Sequence, residues 1–158
     1  MTHRAPPRDV EAGAGVELRL ARDSDADAIA GWTRAPEVLE FWGGRPVELD
    51  EVLAKYTGRR APDVVSYVIL AEGRRVGYTQ AWHRAGRYGI DMFIAADAQG
   101  RGIGSRAARA LAYELITAGW TPLTVDPAVT NTRAIRLGGR QGFARRARSK
   151  ASVRRLLS

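Results

Sequence analysis

Gln99-Gly100-Arg101-Gly102-Ile103-Gly104 is the segment of this 158-residue chain whose residue types and spacing point most directly to chemistry. It follows a strand-like run over 87–95 and opens a run in which Ile103, Ala107, Ala110, Leu111 and Leu115 keep helical spacing. Strand, glycine loop and helix together suit an anion. The first amides of a helix lack intrahelical partners and carry the positive end of its dipole, and glycines let a phosphate approach the backbone. A pyrophosphate fits that description. A dinucleotide fingerprint would need glycine at Ser105 and a P-loop would need Gly-Lys-Ser/Thr, and neither is present. A tight loop that only packs a helix on a strand would use the same residues, so the loop alone leaves both readings open. The absence of cysteine excludes disulfides, thiolate metal ligands and a cysteine acyl-enzyme. No metal site is expected.

The elements that must position this loop can be read from periodicity. Residues 1–15 have no hydrophobic period and are expected to be a flexible leader, with a single domain over 16–158. Residues 16–20 alternate as a half-buried strand, and 23–34 read as a helix with acidic residues in its first turn. A loop or short helix runs from Pro36 through Gly44, and Leu49, Val52, Leu53 and Tyr56 mark an amphipathic helix. Residues 64–71 and 76–82 form a hairpin around Glu72 to Arg75, and 87–95 add an antiparallel strand after the turn at Arg84-Ala85-Gly86. After the helix over 102–117 come a short strand over 123–125, a helix over 131–141 weakened by Gly138-Gly139, and a strand from Phe143. The class is mixed α/β (α+β) without internal repeats.

Composition narrows the partners. Hydrophobic residues make up 45% and charged residues 27%, ordinary for one globular domain. A net charge of +8 would suit a polyanion, but Lys55 and Lys150 are the only lysines, so the excess is almost wholly arginine. A solvated arginine-rich surface is the plainer reading, and no nucleic-acid partner is expected. The first fifteen residues hold no apolar core of signal-peptide length, and no run of eighteen apolar residues occurs. The expectation is a cytoplasmic protein without a membrane partner, either monomer or homodimer.

Gln-x-x-Gly-x-Gly after a strand, followed by Asn131-Thr132-Arg133-Ala134-Ile135-Arg136 and then Gly142-Phe143, resembles the GNAT acetyltransferase superfamily over residues 16–143. Two separated motifs in the family's order make the resemblance specific. It implies a central mixed, mostly antiparallel sheet of six to seven strands flanked by about four helices, with a splayed strand pair holding acetyl-CoA. By the same resemblance the cofactor would contact Met92, Phe93 and Ile94 on the strand. It would also meet Gln99, Gly100, Arg101, Gly102, Ile103, Gly104 and Ser105 in the loop and helix, and Asn131, Ala134 and Arg136 beyond.

Phe41-Trp42-Gly43-Gly44, Gly77-Tyr78-Thr79-Gln80, Gly89-Ile90-Asp91 and Val125-Asp126-Pro127 further resemble blocks of the aminoglycoside 6'-N-acetyltransferases, in that order and roughly that spacing. The segment between Trp82 and Gly89 is shorter than in relatives. The resemblance makes Asp91 and Asp126 the catalytic candidates and, with Trp42, Tyr78, Gln80 and Trp82, the substrate contacts for a small cationic acceptor. Each residue also admits a plain role: Asp126 before Pro127 suits a turn, and aromatic residues on strands are often core. Glu37, Glu40, Glu48, Asp50 and Glu51 either add acidity to the acceptor pocket or form an exposed helix face. The family implies direct attack of a neutral amine on the thioester, with an amide near Met92 or Phe93 steadying the oxyanion. One departure stands out. Where many members carry a tyrosine to protonate the thiolate, this chain has Gly138, leaving water or Tyr113 as candidates. Two other acceptor classes stay open, a protein amine and a polyamine, as does a weakly catalytic acyl-CoA-binding protein. A nucleic-acid role for Arg145, Arg146, Arg148, Arg154 and Arg155 competes with a solvated strand face.

Overall fold

Strand pairing starts before residue 16. The computed structural model describes residues 3–125 and the strand backbone at 143–145, and its first strand, β1 (Asp9–Gly13), pairs antiparallel with β2 (Val16–Leu20). This corrects the expectation of a flexible leader over 1–15. Val10 is buried in the core and Ala12 packs against it, and two small alternating side chains are too weak a period to read from sequence. Upstream, the Arg4 amide donates to Ala118 O at 2.7 Å, Trp120 Nε1 donates to Arg4 O at 2.7 Å, and Tyr67 Oη donates to Pro7 O at 2.7 Å.

Next come a 3-10 turn at Asp23–Asp25, α1 (Ala26–Trp32), α2 (Pro36–Leu39), α3 (Leu49–Lys55), β3 (Val64–Ala71), β4 (Arg74–Arg84) and β5 (Arg87–Ile94). A 3-10 turn at Ala96–Ala98 leads to α4 (Ile103–Thr117), and β6 (Leu123–Val125) and β7 (Phe143–Arg145) complete the order. The helix expected over 23–34 is therefore a tight turn followed by a shorter helix. The turn exists because Asp25 is fully buried as an acceptor. Arg19 reaches its two carboxylate oxygens at 2.8 and 2.9 Å, Arg75 Nε reaches one at 2.8 Å, and the Arg22 amide donates at 2.8 Å. The hairpin β3–β4 is tighter than expected, with only Glu72-Gly73 between the strands and positive φ at both, as a two-residue hairpin turn requires. The helix expected over 131–141 lies outside the described residues.

The seven strands lie in chain order in one sheet, antiparallel from β1 to β5 and parallel from β5 through β7. Strands β3, β4 and β5 are buried on both faces, with residues of alternating parity feeding two cores. Tyr67, Ile69, Ile90 and Met92 pack with Leu111 and Leu115 of α4 on one face. Val68, Tyr78 and Phe93 pack with Ile29, Val38, Trp42, Val52 and Tyr56 of the α1–α3 segment on the other. Parallel pairing of β5 with β6 runs from Tyr88–Leu123 to Ile90–Val125, and β5 continues through Asp91–Ile94 past the last pair. Among the described residues no helix is long and apolar enough to cross a membrane.

Candidate active site

The end of β5 and the start of α4 are joined by the glycine loop. Gln99 Nε2 donates to Ile94 O at 2.9 Å, which ties the loop back to the strand it leaves. Gly100 and Gly102 have φ of +81° and +78°, and Gly102 is the N-cap of α4. A Cβ at either glycine would meet no atom within 4 Å, so the space in front of the loop is open. No side chain caps the fifteen-residue helix α4, and no acidic residue occupies its first turn. Its leading amides and dipole therefore face that space.

A cleft is lined by this loop and by both neighbours. From β5 come Met92, Phe93 and Ile94; from the loop and helix come Ala98, Gln99, Gly100, Gly102, Ile103, Gly104 and Ser105; from the opposite side come Glu37, Val38 and Phe41. Nearly all of the loop and strand residues expected to hold a cofactor thus share one wall. Arg101 is the exception: it is exposed, and its guanidinium donates to Asp97 O at 3.3 Å. On the opposite wall the sequence offered Glu37 as a possible pocket acid but did not assign Val38 and Phe41. A signal was available in Pro36, which opens α2, and in Phe41, three residues past Val38 on the same apolar face.

Asp91 lies one residue before Met92 on the sheet face that carries Phe93, opposite α4. It is fully buried. Gln80 Nε2, on the paired residue of β4, donates to Asp91 Oδ2 at 3.3 Å. Tyr78 Oη donates to Gln80 Oε1 at 2.9 Å and lies 2.8 Å from Ser66 Oγ. Burial pushes the Tyr78 phenol well above its ordinary value, and burial pushes that of Tyr56 up to about 12 against the opposing pull of Trp42. Both phenols stay neutral donors.

Two expected substrate contacts are corrected. Trp42 and Tyr78 offer no open ring face: Trp42 stands edge-on to Tyr56, Tyr78 and Phe93, Tyr56 and Tyr78 stack at 5.0 Å, and Trp42 Nε1 donates to Tyr56 Oη at 2.9 Å. They are core. Trp82 is 7% exposed and lies over Gly89, where a Cβ would clash with its indole. It borders a separate groove with Arg59, Arg60, His83 and Arg84. Of the five acidic residues in 37–51, Glu37 alone lines the cleft. Glu48 pairs with Arg34 at 3.5 Å, Glu51 with Arg45 and Lys55 at 3.4 Å each, and Asp50 is exposed and accepts from the Glu51 amide. Tyr113 is 66% exposed in the middle of α4, nine residues beyond Gly104 and so about 13 Å along the helix. It is removed from the cleft and is no proton source for it. Asp126, Asn131, Ala134, Arg136 and Gly138 lie outside the described residues.

The arrangement offers an anion cradle, the end of β5 beside it and a buried carboxylate on the sheet face opposite the helix. Residues 21–150 match the family described as acetyltransferase (GNAT) domain. Aminoglycoside N(6')-acetyltransferase type 1 of Klebsiella pneumoniae is 29% identical over 151 residues, covering 82% of this chain and 74% of that protein. The solved structure of AAC(6')-Ib in complex with paromomycin and acetyl-CoA superposes with a TM-score of 0.64 at 27% identity, covering 84% of each chain. A ribosomal L7/L12 alpha-N-protein acetyltransferase, at 16% identity and a TM-score of 0.57 over 85% of this chain and 78% of that one, shares the fold.

Proposed function

The chain belongs to the GNAT acetyltransferase family, and from that premise we propose that it moves an acetyl group from acetyl-CoA to a primary amine, the 6'-amine of an aminoglycoside. The observation that carries the reading is the junction of the glycine-led start of α4, which has no side-chain cap among the described residues, with the Met92–Ile94 end of β5, one residue from the buried carboxylate of Asp91. The loop Gln99–Ser105 would receive the pyrophosphate of acetyl-CoA on its amides, and Met92 to Ile94 would run beside the pantetheine arm. The name of the Klebsiella relative and the aminoglycosides bound by AAC(6')-Ib supply the acceptor class.

The chemistry needs little covalent help. A neutral amine attacks the thioester carbonyl, a nitrogen–carbon bond forms, the carbon–sulfur bond breaks, and the amine's proton leaves for the site. Amides of β5 at Met92 or Phe93 would steady the developing oxyanion. Asp91 receives the cationic acceptor and takes its proton, directly or through a water. A thiol of pKa near ~8.5 is a fair leaving group even without an acid, so a glycine at position 138 is compatible with turnover. A polycation meeting a chain of net charge +8 depends on local charge. At about 4 Å a carboxylate contributes roughly 1 to 4 kcal/mol, whereas arginines farther than a Debye length of about 8 Å are screened.

The test is product analysis. Incubation with acetyl-CoA and kanamycin should yield a singly acetylated aminoglycoside with the new amide at the 6' position by NMR. Acetylation at another ring amine, or none, overturns the assignment.

A further inference from the structure

We propose that Tyr78 is a positioning residue for Asp91, acting through Gln80 to fix the carboxylate on the acceptor side of the cleft. The proposal rests on the reading above, in which Asp91 receives the acceptor amine. Ser66, Tyr78, Gln80 and Asp91 lie on three adjacent strands, β3, β4 and β5, and none is more than 2% exposed. Their hydrogen bonds run in one direction. Gln80 turns its Nε2 towards the accepting Asp91 Oδ2, which leaves Oε1 facing Tyr78. The single phenol hydrogen of Tyr78 goes to that Oε1 at 2.9 Å, so the Ser66 hydroxyl donates to the Tyr78 oxygen at 2.8 Å.

Three donors in series therefore end on Asp91, and the orientation of each group is determined by the next. The chain transmits orientation but does not carry protons, because the carboxamide of Gln80 sits between the phenol and the carboxylate. Without the phenol hydrogen, Gln80 loses the contact that holds its oxygen away from Asp91, and two acceptors can then face each other. Small displacements of a reacting carboxylate are costly, since misplacement by about 1 Å can cost about 10²-fold in rate.

A double-mutant cycle on the full chain with acetyl-CoA and kanamycin tests this. Tyr78→Phe should lower kcat/KM for kanamycin about tenfold while KM for acetyl-CoA stays unchanged. Gln80→Leu should lower it at least as far, and the double variant should be no worse than Gln80→Leu alone. Losses that multiply, or a fully active Tyr78→Phe, overturn the proposal. Gln80→Glu gives a readout that packing alone would not move: a second carboxyl against Asp91 should shift the acid limb of the kcat/KM profile to higher pH, and an unmoved limb counts against the chain. Asp91→Asn separates the two levels. If it keeps full activity, the acceptor reading of Asp91 fails; if it loses activity while Tyr78→Phe does not, the positioning role alone fails. Should Tyr78→Phe not fold, Ser66→Ala removes only the first donor, and it should lower kcat/KM for kanamycin about twofold to fivefold; no loss overturns the proposal.

Discussion

Asp91 carries the heaviest assignment of any single residue. Asp91→Asn keeps the side-chain volume and removes the charge and the basic oxygen, so kcat/KM for an aminoglycoside should fall by about 10²- to 10⁴-fold. Binding of acetyl-CoA, followed by calorimetry, should be unaffected, because the cleft is lined by Met92 to Ile94, the glycine loop and the α2 side, and not by Asp91. A comparable loss of cofactor affinity would show that Asp91 shapes the cleft and does not serve the acceptor. At this scale the sequence was informative where chemistry is local. Gln99 to Ser105 could be read because a helix start and its glycines are neighbours in the chain. Tyr78 was misread because β4 is buried on both faces: in such a strand, alternation does not tell a ring that faces a pocket from one that faces a core. Trp42 lies off the strands, in the turn after α2, and was assigned from the Phe41–Gly44 block, which says nothing of burial.

Between elements, the decisive contact is α4 against the end of β5. A Cβ on Gly104 would lie 3.3 Å from Ile94 Cγ1 and 3.7 Å from Met92 Sδ, so the first turn of the helix sits as close to the strand as a bare backbone allows. Gly104→Val should push the helix off the strand at a cost of about 1–3 kcal/mol. It should raise KM for acetyl-CoA more than KM for the acceptor, a split that steady-state kinetics with each substrate varied will read. The 3-10 turn before α1 makes a second element-scale prediction. Burial pushes the Asp25 carboxyl up, but hydrogen bonds from Arg19 and the Arg22 amide, with Arg75 nearby, outweigh it and leave the group below its ordinary 3.8. Its contribution to stability is therefore complete above about pH 3.8 and is lost as pH falls through the lower native value. Asp25→Asn should cost about 2–4 kcal/mol at neutral pH by leaving Arg19 unpaired, and its urea midpoint should fall less steeply below pH 3.8 than that of the parent. Neither the turn nor β1 was legible in the sequence. The turn depends on Arg75, fifty residues from Asp25, and β1 on pairing that only the folded hairpin supplies.

Across the whole molecule, the order of elements from β2 to β6 was readable because most of these segments carry a period that matches the layer they join. The acceptor was harder to read. Net charge describes the entire surface, whereas acceptance of a polycation is decided locally, around Asp91 in the proposed reading, and the groove beside Trp82 carries Arg59, Arg60 and Arg84 with Asp63. These two regions favour opposite partners, a cation at the Asp91 carboxylate and an anion at the groove, so the acceptor class is the claim that most needs measurement. Thiol release from acetyl-CoA should be followed with kanamycin, a 6'-hydroxyl aminoglycoside, spermidine and a peptide amine, side by side. Turnover with kanamycin, and none with its 6'-hydroxyl counterpart, is the predicted result; turnover confined to the peptide or to spermidine would contradict it.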